Sequence, residues 1–130
     1  TIIKGDSIPY IIDEIPILAV AATMAKGTTV FSDAAELRLK ESDRIRATAE
    51  GINSLGGRVQ EHKDGLTIHG TGALTGSYVK SYGDHRIAMA MGIAGLIGKG
   101  KTVVSGAEAA TISYPDFWKI LDSLCLSDKN

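Results

Sequence analysis

Two stretches of the chain are apolar on nearly all sides. Ile15 to Met24 and Ile87 to Ile97 are built largely from alanine, isoleucine, leucine and methionine, a composition typical of helices that are buried all round. Thr28 to Phe31 follows the first stretch and is β-branched and aromatic, which predicts a short strand. We expect a polar loop over residues 32–42.

The next segment changes from a helical period to a strand period. From Asp43, apolar residues recur at roughly helical spacing until Gly56-Gly57, which predicts a one-sided amphipathic helix. Val59 to Glu61 and Leu66 to Ile68 are predicted strands. Lys63-Asp64-Gly65 between them predicts a hairpin turn, because an Asp-Gly pair tolerates positive φ.

The pattern then repeats at an offset of 73 residues. Lys26-Gly27 returns as Lys99-Gly100, and Asp43 returns as Asp116, which begins a second amphipathic helix. Before the second buried helix, Tyr78 to Tyr82 is a predicted strand. The last helix takes its apolar face from these residues: Phe117, Ile120, Leu121 and Leu124.

Two copies of one unit are therefore present, roughly residues 1–75 and 76–127. A helix that is apolar all round must be covered by other elements, since its exposure would forfeit about 25 cal/mol per Å² of buried apolar surface. Repeated units usually need about three copies to bury a continuous core. We therefore expect the helices inside, and more chain around them than these 130 residues supply.

Composition narrows the class of protein. The chain has 130 residues, 44% of them hydrophobic, with 14 Lys+Arg against 15 Asp+Glu, which fits a globular domain or part of one and lacks the basic excess of a nucleic-acid binder. Neither apolar stretch reaches the roughly 20 residues that cross a bilayer. Cys125 has no cysteine partner, so we expect a reducing, cytoplasmic location. A start at Thr1 rather than methionine suggests a fragment.

The densest charged cluster is Arg38-Leu39-Lys40-Glu41-Ser42-Asp43-Arg44, where the loop enters a helix. One interpretation is a capped helix start, with Ser42 as N-cap and the cations solvated. The other is an anion site, in which Lys40 and Arg44 bind a phosphate or carboxylate at the helix N-terminus. In that case Glu41, beside the bound anion, would favour its protonated form and could donate a proton.

Two further clusters lie at the starts of the buried helices. In Gly83-Asp84-His85-Arg86, Asp84 can cap the helix, while Arg86 offers bidentate recognition of a carboxylate or phosphate. Asp13 precedes the first buried helix and has the same two interpretations, a cap or a functional group. If the buried helices lie parallel, we expect Asp13 to lie near Arg86 and near the loop that carries Lys40. Among these cations the Asp13 carboxylate should stay ionised and could act as a base. No cofactor-binding motif is apparent, so we expect cofactor-free chemistry.

These clusters resemble those of the 5-enolpyruvylshikimate-3-phosphate synthase family. The resemblance rests on Asp13-Glu14-Ile15-Pro16, the segment from Arg38 to Arg44, Gly83-Asp84-His85-Arg86, and Ser113-Tyr114-Pro115-Asp116-Phe117, in the family's order. It implies an α+β fold of repeated βαβαββ units, with helices buried inside and mixed sheets outside as an inside-out barrel, and about two units present. It also implies that the chain is the C-terminal portion of one domain of a longer enzyme.

The resemblance also implies an activity. The family transfers the enolpyruvyl group of phosphoenolpyruvate to the 5-hydroxyl of shikimate 3-phosphate, a step of the shikimate pathway toward chorismate and aromatic amino acids, and glyphosate inhibits many members. By motif, Asp13 and Lys40 correspond to shikimate 3-phosphate ligands, with Asp13 the proton acceptor and Glu41 the proton donor. Arg44, Arg86 and His85 correspond to the phosphoenolpyruvate site.

The resemblance is incomplete, and alternatives remain. Ile112 stands where some relatives have a lysine, and Glu36 replaces an asparagine at the edge of the shikimate site, so glyphosate sensitivity is not assumed. A UDP-N-acetylglucosamine enolpyruvyl transferase shares the architecture and the donor, although Cys125 is a poor candidate for its catalytic cysteine. A non-catalytic anion-binding domain is the other alternative. Without the missing N-terminal part, we expect little or no turnover by this chain alone.

Overall fold

The structure is a computed structural model that describes residues 1–127. Its helices and strands, in chain order, are β1 (Ile2–Ile3), α1 (Ile8–Ile11), α2 (Ile15–Met24), β2 (Thr28–Phe31), α3 (Arg44–Ser54), β3 (Arg58–His62), β4 (Gly65–His69), β5 (Tyr78–Lys80), α4 (His85–Ile97), β6 (Val103–Ser105) and α5 (Phe117–Ser127). Short 3-10 helices lie at Gly5–Ser7, Ile12–Glu14, Ala35–Leu39 and Ala107–Ile112.

The two apolar stretches form the buried helices α2 and α4. Ile15 in α2 and Met91 in α4 are fully buried, and both belong to one core that also takes in the inner face of α3. Gly51 lets α3 approach α4, since a Cβ there would lie 2.4 Å from the Met91 sulfur. The prediction of an α+β fold with helices inside is confirmed.

The strands form a mixed four-stranded sheet, in the order β1-β2-β4-β3, and a pair, β5-β6. β1 runs parallel to β2, while β4 runs antiparallel to both of its neighbours. β5 runs parallel to β6. In each half of the chain, therefore, a strand, a buried helix and a parallel strand follow one another. The first and last residues of α5 each lie 73 residues after those of α3. The unit boundary near residue 75 stays a prediction.

The β3–β4 hairpin forms, but for a different reason from the predicted one. His62 pairs with Gly65 across the turn, and none of Lys63, Asp64 and Gly65 has a positive φ. Gly65 is required by space instead, because a Cβ there would lie 1.8 Å from the backbone oxygen of Phe31 on β2. The Asp-Gly pair thus predicted the turn correctly, but the turn depends on the small size of Gly65 and not on a positive φ.

Three local predictions need correction. The expected loop over residues 32–42 contains the 3-10 helix Ala35–Leu39, whose Leu37 is buried in the core. β5 ends at Lys80, since Tyr82 and Gly83 adopt positive φ values of 56° and 68° and turn the chain away from the sheet. On α5, Leu121 is buried but Ile120 and Leu124 are exposed, so the predicted apolar face is only partly covered by the described residues.

The two apolar stretches form helices of 10 and 13 residues, which, as expected, fall short of the roughly 20 residues that cross a bilayer. The helical turns from Gly5 to Met24 span 20 residues and are apolar enough, by length and composition, to cross a membrane. The same segment supplies buried core residues, including Ile8, Ile15 and Val20. It also changes between 3-10 and α geometry and carries Asp13 and Glu14 between two of its turns. We therefore interpret Gly5 to Met24 as a segment that packs in the protein core.

Candidate functional site

The six residues nominated from the sequence line one small cavity of about 120 Å³. The cavity lies where the N-terminal ends of α2, α3 and α4 come together. Its lining consists of Asp13, Lys40, Glu41, Arg44, His85 and Arg86. Three separate segments of the sequence are therefore brought to one place.

Arg44 and Asp84 form a buried ion pair behind this cavity. The Arg44 Nε donates to Asp84 Oδ2 at 2.8 Å and its Nη2 donates to Oδ1 at 3.1 Å. Only 2% of the Arg44 side chain and none of Asp84 is exposed. Two parallel charge-assisted hydrogen bonds offset the desolvation of both groups. Arg44 is therefore fixed in position.

Asp84 is fully used as an acceptor. Besides Arg44, it accepts a hydrogen bond from the Ser42 hydroxyl at 2.7 Å and, as N-cap of α4, one from the Arg86 backbone N–H at 3.0 Å. Burial by itself raises the pKa of Asp84, but the hydrogen bonds from Arg44 and Ser42 outweigh it and leave that pKa below its ordinary value. Asp84 is thus a carboxylate that orients α3 and α4 relative to each other.

Asp13 lies between two cations. The Arg44 Nη1 donates to Asp13 Oδ1 at 3.2 Å, and the Lys40 ammonium is 3.4 Å from the same oxygen. Arg44 also bonds to Glu41, whose side chain is 58% exposed. Asp13 and Glu41 therefore bind different nitrogens of one guanidinium, and both line the cavity.

Arg86 and His85 form the remaining wall. The Arg86 Nη1 donates to Glu14 Oε1 at 3.0 Å, and about a third of the Arg86 side chain is exposed. His85 is the first residue of α4 and is half-buried. A guanidinium carries five donors, so Arg86 can bind Glu14 and an anion in the cavity together.

The cap of α3 differs from the predicted one. Asp43, with an extended backbone, is the N-cap, and its Oδ1 accepts from the Arg46 N–H at 3.1 Å. Ser42 instead donates to Asp84. The reason is that Asp84 is buried and needs donors, whereas Asp43 is well placed to accept the helix N–H.

Sequence reasoning recognised Asp84 only as a cap and overlooked its pairing with Arg44. Asp84 directly precedes a helix that is apolar all round, and a carboxylate carried into the core by such a helix needs a cation to pair with. The two departures from the family pattern lie apart from this pair. Glu36 is 4.0 Å from the Lys40 ammonium at the edge of the cavity, and Ile112 is 75% exposed in the 3-10 helix Ala107–Ile112.

An apolar groove of about 310 Å³ adjoins the polar cavity. It shares Asp13 and Arg86 with the cavity and continues along Ile17, Met89 and Phe117, between α2, α4 and α5. The arrangement can hold an anion against Lys40, Arg44 and Arg86, with Asp13 and Glu41 within reach for proton transfer.

Comparison with known proteins gives one consistent result. The family model described as EPSP synthase (3-phosphoshikimate 1-carboxyvinyltransferase) matches residues 3–121. The 3-phosphoshikimate 1-carboxyvinyltransferase of Synechococcus elongatus is 56% identical over 122 residues, or 94% of this chain and 27% of that protein. The enzyme of that name from Salinibacter ruber is 52% identical over 126 residues, or 96% of this chain and 29% of that protein.

The fold gives the same answer. An EPSP synthase structure from Acinetobacter baumannii superposes with a TM-score of 0.86 at 39% identity, over 91% of this chain and 28% of that one. The chain thus spans under a third of the length of the relatives it matches. With a family match across most of its length and residues from three of the four motif segments lining one cavity, the chain belongs to the EPSP synthase family.

Proposed function

We propose that this chain supplies one side of an active site that transfers the enolpyruvyl group of phosphoenolpyruvate to the 5-hydroxyl of shikimate 3-phosphate. The observation that carries the proposal is the cavity itself, in which three cations and two solvent-accessible carboxylates from separate segments converge. Both substrates are multiply charged anions, and the reaction needs one proton donor and one proton acceptor.

The chemistry divides into an addition and an elimination. In the addition, the 5-hydroxyl oxygen bonds to C2 of phosphoenolpyruvate, Asp13 accepts the hydroxyl proton, and Glu41 donates a proton to the methylene carbon. The product is a tetrahedral ketal. In the elimination, the methyl group returns a proton to Glu41, the bond from C2 to the phosphate oxygen breaks, and phosphate leaves with the proton that Asp13 had accepted. General acid–base catalysis of this kind contributes about 10²–10⁴-fold to the rate.

The contacts support these roles. Lys40 and Arg44 hold the Asp13 oxygen, which fixes the orientation of the carboxylate at the edge of the cavity. Glu41 sits on a segment anchored at Ser42 by Asp84. Arg86 and Arg44 are the planar donors suited to the carboxylate and phosphate of phosphoenolpyruvate, and His85 lines the same wall.

We propose further that the chain works as part of a longer polypeptide. Its relatives are more than three times its length, and the apolar groove between α2, α4 and α5 offers a surface that further chain can cover. The partners of this chain are then the two small-molecule substrates and the rest of the enzyme. Cytoplasmic location remains a prediction.

A chimera tests the proposal. This chain replaces the matching segment of the Synechococcus elongatus relative, and phosphate release from phosphoenolpyruvate is followed with shikimate 3-phosphate or UDP-N-acetylglucosamine as acceptor. We expect release with shikimate 3-phosphate alone and a fall of about 100-fold or more in Glu41→Gln. Glu108→Gln, at an exposed glutamate outside the cavity, is the matched control and should retain full activity.

Two outcomes would contradict the proposal. Release only with the nucleotide sugar would assign a different acceptor. A folded chimera that releases no phosphate with either acceptor would leave Lys40, Arg44 and Arg86 as structural ion-pair residues. Assayed by itself, the isolated chain should show little or no release, so efficient turnover by it would contradict the two-sided site.

A further inference from the structure

Arg38 makes an unusually complete set of hydrogen bonds just before the loop that carries Lys40 and Glu41. Its Nε donates to the Lys63 backbone oxygen at 2.9 Å, and its Nη2 donates to the His62 oxygen at 2.6 Å. Its Nη1 donates to Asp43 Oδ2 at 2.8 Å and to Glu61 Oε1 at 3.1 Å. All three guanidinium nitrogens are therefore in use.

The partners lie on two different elements. His62, Lys63 and Glu61 belong to the β3–β4 hairpin, whereas Asp43 is the N-cap of α3. The side-chain bond from Arg38 to Asp43 joins the two ends of the segment that contains Lys40, Glu41 and Ser42. The bonds to His62 and Lys63 tie that segment to the sheet. The loop is thus closed at its base and fixed to a rigid hairpin.

Only a guanidinium fits this set of acceptors. The two backbone oxygens and the two carboxylates can only accept here, and they lie in different directions around one planar group. Arginine provides donors in a fixed planar fork, whereas a lysine ammonium is a single point charge. Because 28% of the Arg38 side chain is exposed, its ion pairs add little electrostatic energy. Its main contribution is to fix the positions of the groups that it binds.

We infer that Arg38 is a positioning residue, which closes the loop of residues 39–42 and thereby sets the positions of Lys40 and Glu41 in the cavity. Arg38 is not among the residues that line the cavity. This inference rests on the proposed function, in which Lys40 binds shikimate 3-phosphate and Glu41 donates the proton.

The inference predicts an uneven effect on the two substrates. Arg44 is held by Asp84, and Arg86 is held by Glu14, both independently of Arg38. The α3 cap also survives, because Asp43 binds the Arg46 N–H through its other oxygen. Loss of Arg38 should therefore disturb Lys40 and Glu41, but leave the phosphoenolpyruvate side in place.

Steady-state kinetics of the chimera test this prediction. In Arg38→Ala we expect kcat to fall and KM for shikimate 3-phosphate to rise, with a combined loss on the order of 10–100-fold, the scale of a misplacement of about 1 Å. KM for phosphoenolpyruvate should change less than about twofold. Arg38→Lys keeps the charge but not the fork and should recover only part of the loss.

The matched control is Arg46→Ala. Arg46 is 68% exposed and pairs with Glu50 on the outer face of α3, so kcat and both KM values should stay within about twofold of the unmodified chimera. Amide hydrogen exchange of residues 39–42 gives a second readout, and it should quicken in Arg38→Ala but not in Arg46→Ala.

The outcomes separate this inference from the proposed function. If the unmodified chimera turns over and Arg38→Ala matches Arg46→Ala, or raises both KM values equally, the positioning role is wrong. If the unmodified chimera is inactive, the proposed function fails, and hydrogen exchange alone decides whether Arg38 orders the loop. Unchanged exchange in Arg38→Ala would then overturn the inference.

Discussion

The buried pair of Arg44 and Asp84 allows a quantitative prediction. Asp84→Asn keeps the size of the side chain and an N-cap acceptor for α4, because asparagine caps as well as aspartate. It removes the negative charge that faces a guanidinium of which only 2% is exposed. The variant therefore isolates the ion pair from the helix cap.

Two considerations set the magnitude. Breaking a buried ion pair by removing one partner costs about 3–5 kcal/mol, because the other charge stays buried without compensation. Arg44 retains hydrogen bonds to Asp13 and Glu41, which places the expected loss at the low end, about 3 kcal/mol. Asp84→Ala should cost about 1 kcal/mol more, since it also removes the cap.

The pH dependence follows from the lowered pKa of Asp84. Its contribution to stability is fully present above the ordinary aspartate value of 3.8 and is lost as the pH falls through the lower folded-state pKa. The difference in unfolding free energy between wild type and Asp84→Asn should therefore be constant near neutral pH and shrink below about pH 4.

Urea unfolding followed by tryptophan fluorescence measures the effect. The chain has one tryptophan, Trp118, which packs on Phe117 and donates to the Ala107 backbone oxygen, so it reports loss of tertiary structure. Arg44→Gln and the double variant complete a mutant cycle, in which we expect a coupling of about 2 kcal/mol or more. A midpoint for Asp84→Asn within error of wild type, with an unchanged slope, would refute the reasoning.

Three further predictions concern stability and titration. Gly65→Ala should destabilise by about 3 kcal/mol or more in urea unfolding, since its Cβ would lie 1.8 Å from the Phe31 oxygen, whereas Gly72→Ala, with φ of +72° and open space, should cost only about 1 kcal/mol. Leu37→Ala should lower the unfolding free energy by about 2–5 kcal/mol, because Leu37 is 1% exposed in the core; a loss below about 1 kcal/mol would contradict that burial. The hydrogen bond to Glu50, assisted by burial, raises the pKa of Tyr82, so ultraviolet titration should show this tyrosine ionising at lower pH in Glu50→Gln, and no change would contradict the contact.

Periodicity was enough to predict the helices and most of the strands. α2 and β2 have the predicted bounds, and α3 differs by one residue at its start. These elements have uniform local signals, since an all-apolar alanine-rich run favours a buried helix and a β-branched run favours a strand. The 73-residue repeat added a topological prediction that no single segment could provide.

The errors arose where tertiary contacts decide the outcome. The 3-10 helix Ala35–Leu39 is held against the core by the buried side chain of Leu37, although the surrounding sequence is typical of a polar loop. Asp43 rather than Ser42 caps α3, because the Ser42 hydroxyl donates its hydrogen bond to Asp84, which lies 42 residues away in the sequence. Neither choice is encoded within the local sequence, since each depends on what a distant segment places nearby.

The convergence of the candidate site has a topological cause. In each half of the chain a strand leads into a buried helix and then into a parallel strand, so equivalent helix starts are carried to the same end of the core. Contacts between Glu14 and Arg86, and through Arg44 from Asp13 to Asp84, show the two starts meeting. Helix N-termini favour anions, which makes this end suited to acidic ligands.

The charge balance of the cavity also limits what this chain can do by itself. Lys40, Arg44 and Arg86 face Asp13 and Glu41 there, which leaves one surplus positive charge, and Asp84 behind the cavity cancels that surplus. Glu14 beside Arg86 and Glu36 near Lys40 then make the surroundings of the cavity acidic overall. The two substrates of the proposed reaction each carry a phosphate and a carboxylate, and so bring far more negative charge than this balance can neutralise. The missing cations must therefore come from outside these residues, which is the electrostatic reason to expect an active site with two sides.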